Sequence, residues 1–592
     1  MKKHLHTTCK HSVIFFCMIW SFGINGQDTL HVTNNIYVGP GETMEIPEGT
    51  VVYFHDYYHI TVEGTLTATG TEESPVTFTA ADTTNIFNTH IAEGGWNGIR
   101  FLGNDEIKND NISLLEHCIF EFSKASKNDF HNGGAVCVAG PVNISIENCT
   151  FRHNYAYRKG GAIYIEGNNS IITKSSFYKN TASNEESELW TYGGAIFMTS
   201  GRPQVSWSHF EQNYASGIGG ALAVESADPN VFNNIIINNN SPLGGGIGVL
   251  RATGANVFSN NLIAYNYSMF FGGGIAFVEA SGVFANNTIL HNYAGYGGGL
   301  YFNEMSKPVF YNCIIRSNTV HADSVNQVFI WDALSAPDFY NCNIEGGLEA
   351  FDGGGYGDDY LGVYQDNIDE VPLFEDPANM DFSLSDGSPG IDSGYENSHE
   401  LDIFPLDLAG NARFSGIRID MGAFEFQDPY SYFELTISTE GNGTTDPGIG
   451  THIFQEGTLI NITPMPDEQW YFDHWVAPWG NIQDNLLEFE LLEDTQITAV
   501  FFQGTTTSDL YFSSWNLFPN PVNDLLHIEI PESFCAPYEV FITDLNGEKI
   551  FSGNFESRQF TLPLRFDGIA PGVYFVYFVN ESGKQVFRII KI

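Results

Sequence analysis

The stretch NYAYRKGGAIYIEGNNSIITKSSFYKN, from Asn154 to Asn180, decides the fold. Each of its terminal Asn residues follows an apolar residue by three positions, Phe151 before Asn154 and Phe177 before Asn180. Between them lie Gly160-Gly161-Ala162 and then Ile163 and Ile165, apolar at alternate positions. Alternation of this kind marks a strand with one buried face. The Gly pair frees the backbone for a close turn. A recurring Asn suits a turn as well, because its side chain bonds nearby backbone and tolerates left-handed conformations.

Working outward, both signals recur. The apolar residue after the Gly motif is Val136, Ile163, Ile196, Leu222, Ile247, Ile275 and Leu300, at intervals of 27, 33, 26, 25, 28 and 25. The Asn of the second signal is Asn154, Asn180, Asn213, Asn239, Asn266, Asn292 and Asn318, at intervals of 26, 33, 26, 27, 26 and 26. Two interleaved motifs therefore keep one beat. A βαβ crossover needs about 30 or more residues, so a shorter unit leaves only strands stacked coil upon coil. The expected fold class is all-β, a parallel β-helix followed by two small β domains. Stacked coils would align the seven Asn residues into a ladder of amide hydrogen bonds. The spacing from ladder Asn to next strand is 8 or 9, except for 16 between Asn180 and Ile196, so one corner carries a loop over residues 181–192.

The pairing of GGA(I/L) with FxxN resembles the repeats of chlamydial polymorphic outer-membrane proteins, surface adhesins built on a β-helical passenger. Those proteins end in a membrane barrel; small β modules follow here instead. VEGTLTATGTEESPVTFTA (Val62 to Ala80) and GGWNGIRF (Gly94 to Phe101) resemble the opening coils of bacterial right-handed β-helix proteins. VPLFEDPANMDFSLSDGSPGIDSG, then DLAGNARFSGIRIDMGAFEF ending at Phe426, resembles the segment that closes such helices. A solenoid end needs such a cap, since an open edge invites aggregation.

Composition bounds the partners. The chain has 592 residues with 24 Lys+Arg and 71 Asp+Glu, a formal charge of −47, which excludes a nucleic-acid partner. A hydrophobic share of 43% and an aromatic share of 14% are enough to bury a core, so disorder is excluded too. Lys2, Lys3 and Lys10 precede an apolar run from Val13 to Ile24, and Gly26 supplies a small residue: a secretory signal peptide over residues 1–26. Phe16 occupies the place where a lipobox ending at Cys17 needs a small residue, so a lipoprotein is rejected. No transmembrane segment is expected after signal removal.

The β-helix is assigned residues 27–428. Over residues 429–503 the grammar changes, and LTISTEGNGTTDPGIGTHIFQEGTLINITPMPDEQWYFDHW resembles a divergent internalin B-type repeat, with Phe472, Trp475 and Phe501 as its core. Asp473-His474 is read there as a structural pair. A polar linker covers residues 504–511. Over residues 512–592, NLFPNPVNDLLHIEI, VFITDLNGEKIFSG, GIAPGVYFVYF and FRIIKI resemble the C-terminal sorting domain of the type IX secretion system. The matching positions are Pro519, Asn520, Pro521, Asp544, Gly547, Gly572, Tyr574 and Lys591. The resemblance implies that type IX machinery is a partner, that the tail is removed, and that the remainder is released or held at the outer-membrane surface.

The Gly-His-Gly and Arg-x-Lys motifs of polygalacturonase-like hydrolases are absent. Arg152, Arg158, Lys159, Lys174 and Lys179, against Glu166 alone, give 5 − 1 = +4 locally. Stacking would place Arg152-His153 beside Tyr178-Lys179, and Arg158-Lys159 at the corner whose next rung carries Trp190 and Tyr192. Two readings stand. A basic patch under exposed aromatics suits an anionic glycan, charge meeting carboxylate and ring meeting sugar face; alternatively Glu185, Glu186 and Glu188 simply pair with Arg158 and Lys159. The function expected is an adhesin-like or glycan-binding protein, secreted or on the cell surface, touching a polysaccharide or a host or neighbouring cell. The alternative is a polysaccharide lyase or glycoside hydrolase acting on uronates near Arg152, Lys159 and Lys179. No cofactor or metal motif is present, although Asn104-Asp105-Glu106 and Asp358-Asp359 offer oxygens to Ca²⁺. Cys118/Cys149 and Cys313/Cys342 occupy matching slots on successive coils and are expected as stacked buried thiols, because in-line stacking gives poor disulfide torsions.

Overall fold

A computed structural model describes residues 28–103, 112–127, 130–184, 190–321, 324–355, 357–401, 403–428, 430–503, 515–530, 537–545, 547–557, 559–563, 570–580 and 583–591. The signal peptide, the 504–511 linker, Glu185, Glu186, Glu188, Asn104-Asp105-Glu106 and Cys535 lie outside the described residues. Those described fall into two compact units, one reaching Tyr432 and including Ile453–Glu456, the other Phe433–His452 with the chain from Gly457 onward.

The first unit is a right-handed β-helix. Three parallel sheets of 12 strands each run along it, the first from Thr29–Val32 to Asn343–Ile344, the second from Ile36–Val38 to Asp352–Gly353, the third from Thr43–Ile46 to Tyr364–Gln365. Every strand pairs with its equivalent one coil on: Ile163 faces Val136 and Ile196, and Phe151 faces Phe120 and Phe177. A short fourth sheet of six strands, Lys124–Ala125 to Tyr267–Phe271, widens the corner between the first and second sheets.

The inward apolar positions read from the sequence form the core. Phe78, Phe120, Phe151, Phe177 and Phe210 stack with ring centroids 4.7, 4.7, 4.9 and 4.6 Å apart. That matches the spacing of hydrogen-bonded strands, about 4.8 Å, so ring stacking and backbone pairing reinforce each other. Ile236, Ile263, Ile289 and Ile315 continue the buried column.

The Asn ladder forms where the first sheet ends. Each Nδ2 donates to the next coil's Oδ1 at 2.9 to 3.0 Å, from Asn154→Asn180 through Asn292→Asn318. The same Oδ1 also accepts the backbone N–H of the preceding coil's Asn. Ser123 closes one end by donating to Asn154 Oδ1 at 2.6 Å, and Gln327 Oε1 closes the other. Buried corner amides are thereby satisfied coil after coil.

A second ladder runs at the corner between the third and first sheets, through Cys118, Cys149, Ser175, Ser208, Asn234, Asn261, Asn287, Cys313, Cys342 and Asn367. In it Cys118 N–H meets Cys149 Sγ at 3.4 Å, Ser175 N–H meets Ser208 Oγ at 3.1 Å, and Asn234 N–H meets Asn261 Oδ1 at 3.0 Å. The two cysteine pairs are members of this ladder, with sulfur as acceptor. All five described cysteines are free and buried.

The segment after residue 365 differs from a simple end plug. It completes the last corner through Asn367 and Ile368, then turns back along the outer face of the first sheet. Phe382, Leu384 and Met421 there bury Ile237, Leu262, Ala264, Leu290 and Ile314. Five outward asparagines, each in the left-handed conformation at a corner, hold it: Asn233 donates to Asp407 O, Asn260 to Leu406 O, Asn286 to Asp420 O, Asn312 to Ser398 Oγ and Asn341 to Ser393 O. The segment has little regular structure, so buried carboxylates take its amides: Asp407 accepts from Asn411 and Glu425, Asp420 from Asp392 and Phe426, Glu425 from Ser415 and Asp420. Arg413, fully buried, lies 3.5 Å from Glu425.

The second unit holds two sets of sheets. A mixed five-stranded sheet includes Tyr432–Glu440, Trp470–Ala477 and Thr495–Gln503, beside a three-stranded one, Gly443–Asp446, Thr458–Pro466 and Leu487–Leu491. Trp475 and Phe501 are buried, and half-buried Phe472 packs on both. The final stretch pairs a three-stranded and a four-stranded antiparallel sheet around Val522, Leu526, Val540, Ile542, Val576 and Phe578.

Candidate functional site

The outward side chains of the second sheet form one register column: Cys137, Tyr164, Phe197, Ala223, Gly248, Ala276, Tyr301 and Phe329. Aromatic residues stand on either side of a small middle, Ala223-Gly248-Ala276. Beside it runs a second column on the preceding turn, Lys159, Tyr192, Ile218, Leu243, Phe271 and Tyr296. Small residues in the first column let the second sink. A Cβ on Gly248 would lie 2.3 Å from Ile218 Cγ2, so only glycine allows that approach.

The result is a groove of about 770 Å³. Ile218, Leu243, Leu250 and Val278 make its floor, Trp190 and Tyr192 one end, Phe270, Phe271 and Tyr301 the other, with Arg251 and Glu304 at the rim. Trp190 is 56% exposed and Phe270 48%, high for rings that need burial to stabilise the fold. Tyr192 and Phe271 stand three coils apart, about 14 Å along the axis. Phe271 is braced by Tyr301, centroids 4.6 Å apart.

Charge at the groove is internally balanced. Glu225 accepts from Lys159 Nζ at 2.8 Å and also pairs with Arg251. Burial pushes the Glu225 carboxyl up, but the two cations outweigh it and hold it below the usual carboxylate range. Lys159 also lies 4.2 Å over the Phe197 ring and 4.9 Å over Tyr192.

The basic cluster of the sequence divides here. Trp190 and Tyr192 line the groove, Lys159 packs against Tyr192, and Arg158 accepts the Tyr192 N–H on its carbonyl at 3.0 Å. Arg152, His153 and Lys179 stand apart from that lining, at the corner of the first sheet. Arg152 is held by Glu121 at 2.7 Å, Lys174 by Glu147 at 3.0 Å, and Lys179 lies 4.7 Å over the Tyr178 ring. His153 stacks on Phe122 at 5.7 Å; partial burial, then Lys179 and Arg152, push its pKa down. The acids that take the charges of Arg152, Lys174 and Lys159 are Glu121, Glu147 and Glu225, on other coils; Glu185, Glu186 and Glu188 lie outside the described residues.

Phe270, Phe271, Tyr301 and Arg251 escaped the sequence reading. Their signal was present in the position just after the repeat's apolar residue, where Tyr164 and Phe197 give way to Ala223, Gly248 and Ala276 before Tyr301. Asp358-Asp359 falls in a short 3₁₀ turn, Gly357–Asp359. Among the described residues no group of three or more His, Cys, Asp or Glu could hold a metal ion. The Asp473-His474 pair bonds at 2.9 Å on the strand Trp470–Ala477.

In the last sheets the sorting positions have structural work. Asn520 donates to Arg588 O at 3.0 Å and accepts from Ile590 N–H at 2.8 Å, clipping the Pro519-Asn520-Pro521 turn to the final strand. Lys591 Nζ donates to Asn523 O at 2.9 Å. Asp544 Oδ1 accepts Glu548 N–H at 2.8 Å in a turn that Gly547 passes at φ 81°. Tyr574, two residues after Gly572, donates to Ala570 O at 2.6 Å.

Comparison with known families agrees with both halves. Residues 74–263 match the family model for a right handed beta helix region, and residues 516–592 match that for a secretion system C-terminal sorting domain. The protein is a β-helix with a type IX sorting tail. It is accordingly secreted or attached to the outer-membrane surface, and it is handled by the type IX secretion machinery. No curated protein matches the chain. Among the described residues no helix is long and apolar enough to cross a membrane.

Proposed function

We propose that this protein binds glycans outside the cell, adhesin-like, through the groove on the second sheet. One observation carries the reading: Trp190 and Phe270 remain about half exposed at opposite ends of a 770 Å³ concavity whose floor is apolar. Large exposed rings lining a groove suit sugar faces, which present C–H bonds to an aromatic surface. The β-helix supplies a rigid platform on which those rings keep their spacing, and the sorting tail delivers it to where polysaccharide is met. The module of residues 429–503 serves as a spacer before the tail.

A lyase or hydrolase draws less support. Of the cations it would use, Arg152 and Lys159 are engaged by Glu121 and Glu225, and Lys179 lies over the Tyr178 ring. The experiment is a glycan-array and pull-down screen of the full chain beside the Trp190→Ala and Phe270→Ala variants, with unsaturated product ends followed by ultraviolet absorbance. Binding lost in both variants without release of product is the expected result. Binding that survives both substitutions would refute the groove as the site, and release of unsaturated ends would make the protein an enzyme.

A further inference from the structure

We infer that the groove selects an uncharged pyranose chain rather than a uronate. This rests on the groove being the glycan site. Two charged side chains line it among the described residues, Arg251 and Glu304, of opposite sign. Arg251 is already bound to Glu225, and Glu225 in turn holds Lys159. A uronate carboxylate entering here would leave water and find no uncommitted cation among the described lining residues, a costly transfer. Breaking the Arg251–Glu225 pair to serve it would leave Glu225, 15% exposed at its side chain, with Lys159 as its one cation among the described residues. The field of a chain at −47 opposes polyanions as well.

An uncharged chain meets none of these costs. The aromatic ends, Trp190 with Tyr192 and Phe270 with Phe271, stand about 14 Å apart, room for about three sugar rings along the axis. Asn303 at the rim offers an amide, which both donates to and accepts from sugar hydroxyls. The composition of the Arg152–Lys179 stretch left an acidic sugar open; the pairing of Arg152, Lys159 and Lys174 across coils weighs against it.

The test is calorimetric titration of the full chain with cellohexaose, xylohexaose, mannohexaose and hexagalacturonate, each at about 50 and about 500 mM NaCl, where screening differs several-fold. The expected result has at least one neutral oligosaccharide binding with affinity unchanged by salt, and hexagalacturonate binding about tenfold or more weakly. Trp190→Ala, an exposed position that the fold does not need, should lower the neutral affinity about tenfold, as for loss of one stacked platform. Gly248→Val, which pushes Ile218 up into the groove, should lower it further. Tighter binding of hexagalacturonate, falling with salt, would overturn the neutral preference while leaving the glycan-binding reading intact. Binding of none of the four, together with an empty glycan array, would sink both.

Discussion

Replacing Asn239 by Ala tests whether the corner ladder holds the coils together. Asn239 lies mid-ladder and is fully buried. Its Nδ2 donates to Asn266 Oδ1 at 3.0 Å, Phe210 O at 3.0 Å and Ile237 O at 2.9 Å, while its Oδ1 accepts Asn213 N–H and Nδ2–H, both at 2.9 Å. Alanine removes all of these and leaves the Asn213 amide buried without an acceptor. An orphaned buried donor costs about 1–3 kcal/mol, and a net hydrogen bond about 1 kcal/mol, with neighbours not additive. The expected loss is about 3–5 kcal/mol. Asn239→Ser is the internal control, because Ser208 already accepts a coil-to-coil amide from Ser175 at 3.1 Å in the other ladder. Serine should recover the acceptor and cost about half as much. The assay is hydrogen exchange with peptide resolution on the full chain. A local loss of 3 kcal/mol accelerates exchange about 100-fold, and it should do so at Asn213, Asn239 and Asn266 while the Thr29–Val62 strands keep their protection. Unchanged exchange at Asn213 would refute the ladder as a source of stability.

Burial raises both Asp420 and Glu425, against the lowering pull of Arg413. Their raised folded pKa means the native state holds more protons than the unfolded one, so their contribution is full at acid pH and is lost as pH rises through the folded values. Proteolysis of the 366–428 segment should accelerate from about pH 5 to about pH 8, and Glu425→Gln should flatten that dependence; an unchanged slope in the variant contradicts it. Phe382→Ala, which empties part of the cluster over the first sheet, should cost about 3–5 kcal/mol, read as faster exchange at Ile237 and Leu262 with no change at Cys118–Glu121. Cys118, Cys137, Cys149, Cys313 and Cys342 should resist labelling in the native protein and label fully once it is denatured without reductant; a Cys118–Cys149 disulfide would exclude the sulfur ladder.

The coil was legible in the sequence because its partners repeat at nearly constant separation: Asn154 and Asn180 need only the period to be placed together. The closing segment was legible as a terminus but not as a cover. Its contacts join Asn233 to Asp407 and Asn286 to Asp420, 174 and 134 residues apart, with no period to announce them. A local trace existed nonetheless. The outward positions of the first sheet run Thr150/Arg152, Ser176/Tyr178 and His209/Glu211, then turn apolar at Ile235/Ile237, Leu262/Ala264 and Leu290, where the segment lies. The partners of the basic patch were hidden for a related reason. Counting charges along the chain saw Arg152 and Lys159 but not Glu121 and Glu225, which stacking brings across from other coils. The groove was missed because it consists of smallness, Ala223, Gly248 and Ala276, in a column whose neighbours are aromatic.

The returning segment also sets an order in time. Within the solenoid each strand meets a partner about 26 residues away, a short loop to close, whereas the asparagines from Asn233 to Asn312 wait for residues 83 to 174 positions later. The coils stapled this way, Asn233 to Asn341, overlap the coils that carry the far end of the groove, Leu243 to Glu304. A chain emerging from its N-terminus can therefore stack its early coils at once, yet the coils from Asn233 onward gain their last staple only when Asp420 has arrived, so truncation before that point should spare the early coils and loosen the groove.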